Sequence, residues 1–216
     1  MLNYPNAAQG VKKLYVAEIL SLIGSIILGA GIVFGIDGLF NDVAWMALLS
    51  VALIGAAGVL LLISFINNLV GLSKASKDDQ GYKVAFWMMI ISMILSIIFC
   101  SISGVAKTMV SMNILANFCL NMSTVLELLS ILLAIRTTEK LLVLKGDAIL
   151  AATGEVSLFL MIAPFVVTVL LRIITFFTPA IIDTILNVVA TVVQVFGYLM
   201  YLSFLSAAKI RLGSND

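Results

Sequence analysis

Six apolar runs constrain this chain more than any other feature of its sequence. They cover 15–36, 44–66, 84–103, 109–135, 156–177 and 181–205. A hydrocarbon core about 30 Å thick takes about 20 helical residues to cross. Within lipid the backbone must satisfy its own hydrogen bonds, which a helix does inside a single segment. The expectation is an all-α integral membrane protein, with residues 1–216 as one polytopic domain of six transmembrane helices in three hairpins. Composition agrees, because the chain is 62% apolar and 11% charged, whereas soluble domains are about a quarter charged. The first run has the outline of a signal peptide, but those apolar regions are only about 7–15 residues long. This one is longer and carries Glu18, so it is expected to remain as a membrane helix, with Glu18 wet near the boundary.

Lysine and arginine test the count. Six spans place Lys12, Lys13, Lys74, Lys77, Lys83, Arg136, Lys140, Lys145, Lys209 and Arg211 on one side, and only Lys107 and Arg172 on the other. Under the positive-inside rule both termini are cytoplasmic, and a plasma-membrane location is expected. Five spans would scatter these charges. The segment from Arg136 to Glu155, with Lys140, Lys145 and Asp147, is compatible with a helix but too charged to span.

A shift of 71 residues lays Gln80-Gly81-Tyr82-Lys83 on Gln9-Gly10-Val11-Lys12 and Ser92 and Ser96 on Ser21 and Ser25, with nine identities over the 27 positions from Gln9 to Gly35. Duplication of a hairpin would account for this, and each unit crosses twice, so the repeats would be parallel. Gly31 and Gly35 make a G-x-x-x-G pair that permits close helix contact.

The polar residues of the fourth run are ordered. Asn113, Asn117, Thr124 and Glu127 recur at steps of four, seven and three, which at about 100° per residue puts them on one helical face. Ser123 and Ser130 flank one edge. Glu127 lies nine residues before Arg136, about 14 Å inside the boundary, where a charge costs roughly 2.5–3.5 kcal/mol. Such a group belongs in a protein interior or a wet cavity. In the sixth run Asp183, Asn187, Thr191, Gln194, Tyr198 and Tyr201 keep similar steps, with Gln194 near the level of Glu127 and Asn187 near that of Asn117 and Arg172. Arg172 sits too far from Glu127 in depth to pair with it and can snorkel outward.

Catalytic templates fail. Histidine is absent, which removes the commonest general base and metal ligand together. No phosphate-binding glycine loop, nucleophile elbow or metal-ligand spacing occurs. The net charge of +1 gives no nucleic-acid signal. Neither an enzyme nor a bound cofactor or metal is expected, and the bilayer itself is the expected partner. Two functions are left. One is a small transporter or solute-binding membrane subunit, with Glu127, Asn117, Thr124, Asn187, Gln194 and Arg172 as a pathway for a small solute or ion. The other is a non-catalytic scaffold, assembly or regulatory subunit that docks another membrane protein, its polar residues only holding helices together.

Overall fold

The computed structural model describes the backbone of residues 4–40, 43–105, 110–174 and 180–214. It describes their side chains except at 38–40, 103–105, 110–117, 164–174, 180–188 and 190. These residues form six helices: α1 Pro5–Phe40, α2 Ala44–Ala75, α3 Gln80–Val105, α4 Val110–Leu144, α5 Ala148–Ile174 and α6 Ala180–Gly213. Five of them contain stretches long and apolar enough to cross a membrane, in α1, α2, α3, α4 and α6. The corresponding described stretch of α5, Ala148–Ala163, is shorter. Large apolar side chains such as Leu48, Val51, Ile26, Phe118, Phe159 and Phe196 point outward. In water that surface would aggregate; it suits a bilayer.

Glycines and small side chains decide how α1 meets α2. Gly10, Ala17, Gly24 and Gly31 recur every seven residues on α1, and Ser50, Ala57, Ser64 and Gly71 do so on α2. The pairing is antiparallel: Gly10 lies on Gly71, Gly24 on Leu61, Gly31 on Ile54 and Gly35 on Ser50. Ser64 Oγ donates to the Ala17 carbonyl across the seam at 2.7 Å. Without large side chains between them the backbones come close, which is where dispersion holds helices together in lipid. Serine and threonine replace glycine between α3 and α4. Ser123 Oγ bonds Ser96 Oγ at 2.6 Å and Ser92 Oγ at 3.0 Å, and Ser130 Oγ donates to the Ala85 carbonyl at 2.8 Å. Gly81 abuts Thr137. α5 and α6 also run antiparallel, Gly154 against the Phe204 ring and Gly197 against Leu160.

All six helices therefore bring one end to a common level: the start of α1, α3 and α5 and the finish of α2, α4 and α6. This end, called the basic end here, carries the densest core. Tyr82, Tyr201, Phe204, Leu72, Ile135, Leu141, Leu142, Leu205 and Leu212 are almost wholly buried there. At about 1.5 Å per residue, α1 is about 54 Å long, well beyond a bilayer core of about 30 Å. The residues beyond the apolar runs build a packed bundle at the basic end. Arg136–Glu155 is accordingly no separate segment. It is the last part of α4, a turn at Lys145–Asp147, and the first part of α5. The turn needs Gly146, whose φ is 88°. Its amide bonds the Val143 carbonyl and the Asp147 amide bonds that of Leu142, the paired pattern that ends a helix on a left-handed residue.

An aspartate serves each of the three helix N-termini at this end, where free amides and the helix dipole favour negative charge. Asp78 accepts from the Ala7 amide of α1 at 2.6 Å and from Asn6 Nδ2 at 2.8 Å. Asp79 accepts from the Gly81 amide of α3 at 2.7 Å, and Asp147 from the Leu150 amide of α5 at 3.1 Å. Two of them also tie a second helix. Asp79 pairs with Lys140 of α4 at 2.6 Å and Asp147 with Arg211 of α6 at 2.8 Å. Lys145 Nζ completes the end by donating to the carbonyls of Arg211 and Ser214.

Asp79 yields a pH prediction. Partial burial raises its pKa, but the Lys140 and Gly81 hydrogen bonds and the Lys140 charge outweigh that and hold it below the ordinary aspartate value. A depressed carboxyl stabilises the fold fully above its unfolded pKa, about 3.9, and loses that contribution as pH falls through the folded one. The lysine is exposed, so the effect is at most about 1 kcal/mol. Asp79→Asn should lower the melting temperature at pH 7 and close the gap to the parent protein below pH 4. A constant gap across that range would remove Asp79 as the titrating group.

Candidate functional site

The boundary between the packed end and the rest of the bundle runs through Glu18. Far from staying wet, Glu18 is only 6% exposed. It continues the inward face of α1 one heptad after Val11, which is fully buried. The Tyr198 hydroxyl of α6 lies 2.9 Å from Glu18 Oε2 and 2.7 Å from the Glu18 carbonyl, sharing its proton between them. Asn68 of α2 approaches the same carboxyl, so three helices converge on it. Tyr201 lies one turn further along α6, beside Glu18 and Tyr82, and Tyr82 reaches Thr138 of α4 at 2.6 Å. Together with Phe204 and Ile135 these side chains close the bundle toward its basic end.

Past this closure the same inward faces become accessible. On α1 the positions that follow Val11 and Glu18 at steps of seven are Ser25 and Ile32, and both are exposed. A Cβ built on Gly29, on that face, meets nothing within 4 Å. On α4 the stripe Leu142, Thr138, Ile135 is buried, Ile131 is half-buried, and Glu127, Thr124 and Leu120 are exposed. On α6 the stripe Leu212, Ala208, Leu205, Tyr201 is buried, Tyr198 half-buried, and Gln194 and Thr191 exposed. Spacing of three and four keeps each series on one helical face, so the change lies in depth, not direction. Glu127 itself is exposed on this face. Its carboxylate is an electrostatic neighbour of Glu18.

Of the six predicted pathway residues, Glu127, Thr124 and Gln194 are exposed, on α4 and α6 faces that are buried nearer the basic end. Thr124 Oγ1 donates back to the Leu120 carbonyl at 3.0 Å. The side chains of Asn117, Asn187 and Arg172, like those of Asn113 and Asp183, lie outside the described residues. Ser123 and Ser130 do separate from the stripe, because they face α3. What the sequence reading missed is Glu18 itself. Its signal was available: Val11, Glu18 and Ser25 repeat every seven residues, beside the small-residue seam. No protein-family model, no curated protein and no solved structure matches this chain.

Proposed function

We propose that this chain is a small, non-catalytic transporter or solute-binding subunit of the plasma membrane, with six spans in three hairpins and both termini cytoplasmic. Its cavity is the cleft around Glu127, open away from the cytoplasm and closed toward it by Glu18, Tyr198 and Tyr201. One observation carries this reading. The inward faces of α1, α4 and α6, buried at the basic end, are all accessible beyond Glu18. An intramembrane carboxylate costs several kcal/mol unless it finds water, a partner or a ligand, and Glu127 stands on that accessible surface. Thr124 and Gln194 line it with Glu127, and the proposal extends it to Asn117, Asn187 and Arg172 on the outer side. The basic end carries ten of the twelve lysines and arginines, which supports the orientation. A parallel hairpin repeat accounts for Gly10 and Gly81, aligned by the shift of 71, each packing on the finish of the following helix.

The test uses a background free of Cys100 and Cys119, with single cysteines at Thr124, Gln194 and Ala134. A membrane-impermeant thiol reagent applied from outside should label the first two and spare the third, which is buried. Glu127→Gln should abolish solute binding or transport while leaving the melting temperature unchanged. Labelling at none of the three positions, with full activity in Glu127→Gln, would instead leave the scaffold function.

A further inference from the structure

A second polar site lies at the basic end, away from the cleft. The last turns of α4 and the first of α5 enclose a groove of about 370 Å³, lined by Arg136, Glu139, Lys140, Ala151, Ala152 and Glu155 among others. Sites for small ligands span about 300–1,000 Å³. Glu139 is nine-tenths buried, and its Oε1 is the one buried side-chain polar atom without a hydrogen-bond partner among the described residues. Buried polar atoms are almost always paired, so a lone one calls for an explanation. Its other oxygen takes Arg136 at 3.2 Å, and Arg136 reaches Glu155 at 3.7 Å. Lys140 is matched by Asp79. One arginine against two glutamates leaves the groove with one negative charge in excess and a missing hydrogen-bond donor. Glu139 lines the groove, and the terminal torsion of a glutamate is soft, so its carboxylate can turn to present an oxygen there.

We infer that this groove holds the primary ammonium of an aminophospholipid headgroup. An ammonium supplies both the missing charge and the missing N–H. Its phosphate stays in solvent at the rim, beside the largely exposed side chains of Arg136 and Lys140. The lipid source follows from what adjoins the groove. Ala152, Val156 and Phe159 run down the outer face of α5 at steps of four and three, all exposed, so acyl chains have an apolar track directly below the head. Arg136 and Glu155 bound the apolar runs of α4 and α5, the level at which headgroups lie. The site is independent of the transport proposal.

The test is native mass spectrometry of the whole protein in detergent, with phosphatidylethanolamine and phosphatidylcholine of the same acyl chains. The choline head carries the same charge but no N–H. A charge-assisted hydrogen bond lost from a buried site predicts retention of phosphatidylethanolamine roughly tenfold over phosphatidylcholine. Glu139→Leu should erase that preference, and Glu155→Gln, at an exposed position, should reduce it without risk to the fold. Equal retention of the two lipids, or an undiminished preference in both variants, would overturn the inference. Displacement of the lipid by equimolar soluble phosphoethanolamine would overturn the lipid as the occupant.

Discussion

Replacing Gly10 by alanine is expected to destabilise the bundle by about 1–3 kcal/mol, as overpacking does, and to do so through one methyl group. A Cβ at Gly10 would sit 2.5 Å from the Gly71 carbonyl oxygen, 2.6 Å from Ala75 Cβ and 2.9 Å from the Ala75 nitrogen. Two of these are backbone atoms, so no rotamer change relieves the contact and α2 itself must move. It cannot move alone, because Leu72 and Ala75 are packed into the core with Val11 and Leu14. Gly29→Ala is the control. It lies on the same helix with open space around it, and alanine gains up to about 1 kcal/mol over glycine in a helix. Loss of helical circular dichroism under a detergent or heat ramp reads both. Equal melting of Gly10→Ala and the parent protein would mean that α1 and α2 do not touch there.

That pair of glycines also shows which features were legible in the chain. Apolar run length announces the membrane class, because lipid leaves the backbone few options. The polar stripe of α4 was legible for the same reason, since an amide or carboxylate in an oily helix is costly and its spacing is informative. The seam between α1 and α2 was half legible. Gly31 and Gly35 advertise close contact, but the governing period is seven, and it emerges only when Ala17 and the serines of α2 are counted with the glycines. Glu18 is buried although it lies near the end of its apolar run, because nearness to the membrane boundary is not nearness to water. The helices run on past their apolar stretches at the basic end and pack there, so a carboxyl three residues inside an apolar run ends up in a core, near Asn68 and bonded to Tyr198 of α6. That the two ends of Arg136–Glu155 continue the flanking helices was unreadable for a related reason. Charge density rules out a span, yet it does not rule out a helix whose charges pair with Asp79 and Arg211 on other helices.

Removing the Tyr198 hydroxyl is expected to cost about 1–3 kcal/mol, the penalty for leaving a buried polar group short of a partner. Tyr198→Phe preserves the ring and its edge contact with Tyr201, so any loss reports on Glu18. Glu18→Leu should be milder, because it removes the group that needs satisfying and fills the space with carbon, as replacing buried charges by apolar side chains often does. The decisive quantity is the sign of the coupling. With Glu18→Leu already in place, Tyr198→Phe has no carboxyl left to strand, so the double variant should be more stable than Tyr198→Phe alone. Strict additivity in the unfolding free energies would show that the hydroxyl and the carboxyl do not meet. The same variants test whether this contact closes the proposed cleft. In Tyr198→Phe a cysteine at Thr124 should become reactive to reagent applied from the basic side of inverted vesicles, whereas in the parent background the buried belt of Tyr82, Tyr201 and Phe204 with Glu18 should keep it silent. Unchanged silence in Tyr198→Phe would assign the closure to the aromatic belt alone and leave Glu18 as a joint between α1, α2 and α6.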